Sequence, residues 1–218
     1  MSDGPLILAF DTTAARCAAA LVHGDTTLFQ ISEAMKRGQA ERLVPMLEET
    51  LVEAGRKWSD IDGLAVLTGP GNFTGIRLSV ATARGLALSL NIPAIGVTGF
   101  EAAAHGMQRA VLAFTDNGRG NTSCQLFVEG RAISEPTENP ADLSLAADVI
   151  CTGVQTDFAR SAGFPFVEKN KEDHLWRAAQ VAMCKLRNGE TSLPVPLYVR
   201  KADAAPSSDL PPVILDDA

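Results

Sequence analysis

The chain has 218 residues, 46% of them hydrophobic and 21% charged, with a net charge of −7 that divides almost evenly between its halves. That composition suits a folded domain or two small ones and excludes disordered and collagen-like classes. The absence of any Lys/Arg run argues against unaided grip on nucleic acid, which needs clustered cations to replace phosphate counterions. No apolar stretch approaches the roughly 20 residues of a membrane helix. Residues 1–5 have neither the charged nor the apolar part of a signal peptide, so a cytoplasmic address with no membrane partner is expected. Cys17, Cys124, Cys151 and Cys184 are too far apart for a zinc knuckle or redox pair and read as buried free thiols. His23, His105 and His174 are equally scattered, and no metal site is expected.

Leu6–Phe10 is an apolar run that ends in Asp11-Thr12-Thr13, a buried strand closing on a polar turn. Cys17–Val22 is a second strand, His23-Gly24-Asp25 a turn, and Thr27–Ile31 a third strand. Gln39–Ala54 carries Leu43, Leu47 and Leu51 four apart, the stripe of an amphipathic helix that contains Pro45. Ile61–Thr68 reads as a strand, and a glycine-rich loop leads into a helix over Thr74–Leu90, with Ile76, Val80, Ala83, Ala87 and Leu90 on one stripe. Ala94–Val97 is a short strand and Phe100–Arg109 a helix.

The order then repeats. Val111–Thr115 is apolar, Asp116-Asn117-Gly118 comes next, Ser123–Val128 is a strand, Glu129-Gly130 turns and Arg131–Ser134 continues. Asp11 to Asp116 spans 105 residues and Gly24 to Gly130 spans 106, the signature of a duplicated unit. Val149–Thr152 and Pro165–Val167 read as strands, Asp157–Ala162 and Asp173–Leu186 as helices, and the proline-bearing end from Ala204 as a mobile extension.

Two places invite chemistry. Asp11 at the carboxyl end of a first strand, with Thr12 and Thr13, stands where open α/β sheets contact ligands, including nucleotides. The turn could equally be capped by its own aspartate. The loop Thr68-Gly69-Pro70-Gly71-Asn72-Phe73-Thr74-Gly75-Ile76-Arg77 precedes a helix N-terminus, yet it lacks the Lys-Ser/Thr of a P-loop and has Thr74 where a dinucleotide fingerprint needs glycine. Close packing is the favoured reading of its glycines. No nucleophile has a supporting base, so no catalytic residue is assigned.

Ile7–Thr13, Arg42–Leu47, Gly69–Arg77 and Ala83-Arg84-Gly85-Leu86-Ala87 together resemble the TsaB (YeaZ) family, strongly over residues 6–101 and again at Pro196–Arg200. The resemblance implies a duplicated actin-like (ASKHA, ribonuclease-H-like) α/β fold, with lobes at 1–105 and 106–203. It implies a non-catalytic scaffold role beside a TsaD-like catalytic subunit and a TsaE-like ATPase, which together place threonylcarbamoyl on the adenosine next to the anticodon of tRNAs reading codons that start with A. ATP and a metal are then expected on the partners, with tRNA met only through the complex. The metal-binding histidines of TsaD fall here on Gly99 and Ala103, neither able to bind metal.

A partner face is expected on the two N-lobe helices, at Leu43, Leu47, Leu51, Gly71, Phe73, Gly75, Leu78, Ser79 and Thr82. Those helices could also pair two copies of the chain in isolation. The family pattern is departed from at Gln39, at Asn72 and over Asp116–Asn121. The rival reading is an ATP-dependent phosphotransferase or carbamoyltransferase of the same superfold using Asp11. A metallopeptidase lacks both metal ligands and a general base.

Overall fold

The structure is a computed structural model, and it describes residues 4–118, 121–154, 156–168, 170 and 173–199. The expected extension from Ala204, Arg119-Gly120 of the second turn and Arg200 lie outside the described residues.

Strands β1 (Leu6–Asp11), β2 (Arg16–His23) and β3 (Thr26–Ala34) form an antiparallel meander. Helix α1 (Gln39–Glu53) leads to β4 (Gly63–Leu67), α2 (Phe73–Leu90) and β5 (Ala94–Val97), and both later strands run parallel to β1 in the order β3-β2-β1-β4-β5. After α3 (Gly99–Ala104), strands β6 (Val111–Gly118), β7 (Asn121–Val128), β8 (Arg131–Ala132), β9 (Ile150–Gly153) and β10 (Phe166–Val167) build a second sheet. Its order, β10-β9-β6-β7-β8, is the first sheet's order with β6 standing for β1. The pairing senses match strand for strand, so the chain has the duplicated two-lobe actin-like architecture.

Residues alternate across the first sheet, as the period of a strand requires. Leu6, Leu8, Phe10, Cys17, Ala19 and Leu21 face one way and are covered by α1 and α2; Ile7, Ala9, Ala18, Ala20 and Val22 face the other and are covered by α5 (His174–Arg187). In the second sheet Leu112, Phe114, Cys124 and Leu126 pack against α4 (Thr156–Ala162), whereas Val111, Ala113 and Phe127 pack against Phe100 and Ala104 of α3. Between β8 and β9 only a three-residue 3-10 turn, Pro140–Asp142, is found where the first unit has α1.

The helices cross between the two repeats. Helix α3, from the first half, packs on the second sheet, and α5, from the second half, packs on the first. Helix α3 is also shorter than the expected Phe100–Arg109, stopping at Ala104 before Gly106 with φ +78°. Cys17, Cys124 and Cys151 are buried free thiols, whereas Cys184 on α5 is exposed, a correction to the reading of all four as buried.

From α5 the chain returns as an extended strap. Leu197 N–H donates to Thr68 O at 2.8 Å, and Arg84 Nε donates to Pro194 O at 2.8 Å. Leu197 and Val199 pack with Phe100 and Phe127, while Tyr198 turns outward onto the start of α2. The strap thereby joins the second lobe to α2.

Candidate functional site

Asp11 closes β1 and is buried. Its Oδ1 accepts from the Thr13 N–H and Thr13 Oγ1, both at 2.7 Å; its Oδ2 accepts from Arg16 Nε at 3.1 Å and Arg16 Nη2 at 2.8 Å, with His174 Nε2 at 3.4 Å. Burial alone would raise its pKa. The His174 contact, the Arg16 charge and the Thr13 hydroxyl outweigh it and hold the carboxyl well below the usual carboxylate range. Both oxygens of Asp11 are thus spent on this chain's own groups.

Thr12 and Thr13 are committed in the same way. The Thr12 N–H donates to Ser79 Oγ at 3.1 Å, Thr12 Oγ1 donates to Gly75 O at 2.7 Å, and the Thr12 and Ser79 hydroxyls share a further bond of 2.7 Å. The glycine loop is pressed onto this turn: Asn72 N–H donates to Thr13 O at 2.6 Å. A Cβ on Gly75 would lie 1.8 Å from Thr12 O, and one on Gly71 2.3 Å from Thr13 O. These two glycines are required by the close approach of the loop to the Thr12-Thr13 backbone.

Helix α2 opens with Asn72, whose Oδ1 accepts from the Thr74 N–H at 3.0 Å as an N-cap. At the corresponding place after β5, the side chain of Thr98 accepts from the Glu101 N–H and Glu101 accepts from the Thr98 N–H, a reciprocal cap. Glu101 also pairs with Lys185 of α5 at 2.7 Å. Gly99 sits against Thr115, where a Cβ would meet the Thr115 methyl at 3.0 Å, tighter than an ordinary side-chain contact. Among the described residues, no three His, Cys, Asp or Glu side chains are grouped to hold a metal ion.

The expected partner residues separate into inside and outside. Leu43, Leu47 and Leu51 are 0, 0 and 2% exposed and pack on β1 and β2. They are the inner stripe of α1, which corrects their placement on a partner surface, because one helix face cannot serve sheet and partner together. Gly75 and Ser79 are likewise buried against Thr12. Gly71, Leu78 and Thr82 are half-buried, and Phe73 is exposed.

The outward residues are others. On α1 they are Val44, Pro45, Glu48 and Val52; on α2, Phe73, Arg77, Ala81, Arg84 and Leu88, the last 86% exposed. Val44, Glu48 and Val52 recur four apart, one residue out of phase with the leucine stripe, a signal present in the sequence. The outer side of α1 is acidic through Glu41, Glu48 and Glu53, whereas α2 carries Arg77 and Arg84 and no acid. At the start of α2 the Arg77 guanidinium lies 3.8 Å over the Phe73 ring, and Arg77 Nε donates to Tyr198 Oη at 3.1 Å. The Tyr198 ring sits 4.8 Å from that of Phe73.

Comparison with known proteins gives this arrangement a family. The model for TsaD, tRNA N6-adenosine threonylcarbamoyltransferase, matches residues 31–146, just over half of the chain. The tRNA threonylcarbamoyladenosine biosynthesis protein TsaB of Escherichia coli is 39% identical over 103 residues, 47% of this chain and 44% of that protein, so the match spans less than half of that curated relative. An uncharacterized protein of Mycobacterium tuberculosis is 30% identical over 203 residues, 92% of this chain and 94% of its own. YeaZ from Pseudomonas aeruginosa has a similar structure, with a TM-score of 0.66 at 26% identity over 88% of this chain and 100% of that one. With the duplicated sheets and the buried glycine loop, these likenesses show that the chain belongs to the TsaD family and, within it, to the TsaB (YeaZ) branch.

Proposed function

We propose that this chain is a non-catalytic scaffold subunit in the biosynthesis of threonylcarbamoyladenosine on tRNA, binding a TsaD-like catalytic subunit through the outer faces of α1 and α2. The observation that carries the reading is the closed corner at Asp11. A nucleotide enzyme of this superfold needs free donors there, and Thr12, Thr13, Gly71 and Gly75 are instead locked together. ATP, its metal and the basic surface for tRNA then belong to the TsaD-like subunit and a TsaE-like ATPase, which suits an acidic chain of −7. The exposed Val44, Val52, Phe73 and Leu88 give the helix pair the apolar anchors an interface core needs, with Arg77 and Arg84 beside them.

The test mixes the purified chain with a TsaD-like subunit on a sizing column. Leu88→Glu and Val52→Glu change exposed side chains, so each leaves the fold intact and weakens the complex at least tenfold. Unchanged binding by both variants overturns the assignment of this face. Micromolar ATP binding with turnover by the chain alone overturns the scaffold reading itself.

A further inference from the structure

We propose that the free edge of β3 is a self-association site, pairing with β3 of a second copy of the chain in antiparallel sense across a two-fold axis. Strand β3 (Thr26–Ala34) ends the first sheet, and β2 is its sole strand partner among the described residues. Met35 N–H donates to Ala15 O on the β2 side at 3.0 Å, and residues along an antiparallel ladder alternate between bonding inward and outward. Gln30, Ser32 and Ala34 therefore aim their N–H and C=O groups away from β2. Among the described residues no hydrogen bond meets them there, and their side chains are exposed as well.

Open edges are ordinarily blunted by lysine, proline or a bulge. Residues 26–32 hold no charge and no proline, and they are rich in β-branched and aromatic types. The one interruption is a bulge with Leu28 as the extra residue, which leaves residues 29–34 regular. Charge then selects both the sense of pairing and the occupant. Asp25 precedes the strand and Lys36 and Arg37 follow it; all three are exposed, and none is ion-paired among the described residues. With Ile31 facing its own copy on the axis, Gln30 stands opposite Ser32, and Asp25 stands opposite Arg37. A parallel arrangement would set like charges side by side. Glu33, the one charge within the strand, is held by Arg42 of α1. A second copy thus supplies outward donors and acceptors, an uncharged centre and reversed charge at the ends. The edge lies apart from the outer faces of α1 and α2, so the proposal does not rest on the scaffold reading.

Sedimentation velocity on the full chain over a concentration series is the test, and the expected result is a reversible monomer–dimer equilibrium. Ser32→Pro removes an outward N–H that β2 does not use, and Ser32→Lys sets like charges close to the axis. Each weakens the dimer about tenfold or more. Ser32→Lys leaves the urea midpoint unchanged, so a folding defect in the proline variant does not decide the outcome. At low salt Asp25→Lys weakens association about fivefold, and adding Lys36→Asp and Arg37→Asp to it restores the dimer. A chain that stays monomeric up to about 1 mM overturns the proposal. So does a dimer that is untouched by Ser32→Lys, or one lost with Leu88→Glu instead, which would move self-association to the helix face. Loss of TsaD-like subunit binding in Ser32→Lys also overturns it, since the edge would then belong to that partner. Unchanged TsaD-like subunit binding by Leu88→Glu and Val52→Glu, in contrast, sinks the partner face on the helices and leaves the β3 site standing.

Discussion

At the residue scale the corner around Asp11 is the most constrained part of the molecule. Gly75→Ala places a methyl group within 1.8 Å of a backbone oxygen, which no side-chain rotation relieves. We expect it to cost about 3 kcal/mol or more, read as a lower midpoint in urea. Gly85→Ala on the same helix, where a Cβ meets nothing, should be neutral or slightly stabilising and serves as the control. Ionised Asp11 is favoured in the folded chain, so it stabilises the fold at pH values above its unfolded pKa of about 4. That contribution is lost as pH falls through the window below 4 toward the depressed folded value. Asp11→Asn leaves Arg16 without its carboxylate and should cost about 3 kcal/mol at pH 7. Urea melts from pH 7 to pH 3 should show the gap to the unaltered chain narrowing below pH 4; a constant gap would mean that the charge contributes nothing.

Arg177 is the opposite case. It is buried on α5, its Nε has no hydrogen-bond partner among the described residues, and its Nη2 donates to Asn170 O at 3.0 Å. Burial lowers its pKa against a smaller opposing pull from Asp173. Arg177→Met keeps the length of the side chain and removes the desolvated charge, so stability should rise by about 1 kcal/mol, visible as a higher Tm. Neither Arg177 nor the His174 contact with Asp11 is legible in the sequence, because each depends on where α5 docks more than 150 residues after β1. At Asp11 the turn cap is the arrangement seen, with both oxygens hydrogen-bonded within the chain.

At the scale of elements, helical period found α1 and α2 and their sheet-facing stripes, because a strand face and a helix stripe are both written locally. The same period does not say which stripe meets a partner, and the outward residues Val44, Glu48 and Val52 lie one position away from the buried leucines. Leu47→Ala should therefore behave as a core truncation, costing about 2–5 kcal/mol in chemical denaturation, in contrast to the surface variants at Val52 and Leu88. The capped start of α2 was legible in Asn72, and the close packing of the glycine loop in its failure to match either phosphate motif. The strap was not legible beyond its family resemblance, since an extended segment without alternation carries no period. Tyr198→Ala removes one hydrogen bond to Arg77 and a ring contact with Phe73 at an exposed site. It should cost about 1 kcal/mol, and a larger loss of partner affinity than of stability would place the cluster at the interface.

For the whole molecule, the 105- and 106-residue offsets revealed the duplication because each copy keeps its strand order and turn residues. They could not reveal that the closing helices are exchanged, since a repeat in sequence says nothing about which copy a helix covers. That exchange bears on how the chain is made. Emerging from the ribosome, β1 to β5 can pair at once, yet the apolar face of Ile7, Ala9, Ala18 and Ala20 has no cover until residues 174–187 have been synthesised. The second sheet meets no such delay, because α3 precedes it. The half that folds first in order is thus completed last, and a chain stalled before residue 174 exposes a bare sheet face, the kind of surface that invites chaperones or aggregation.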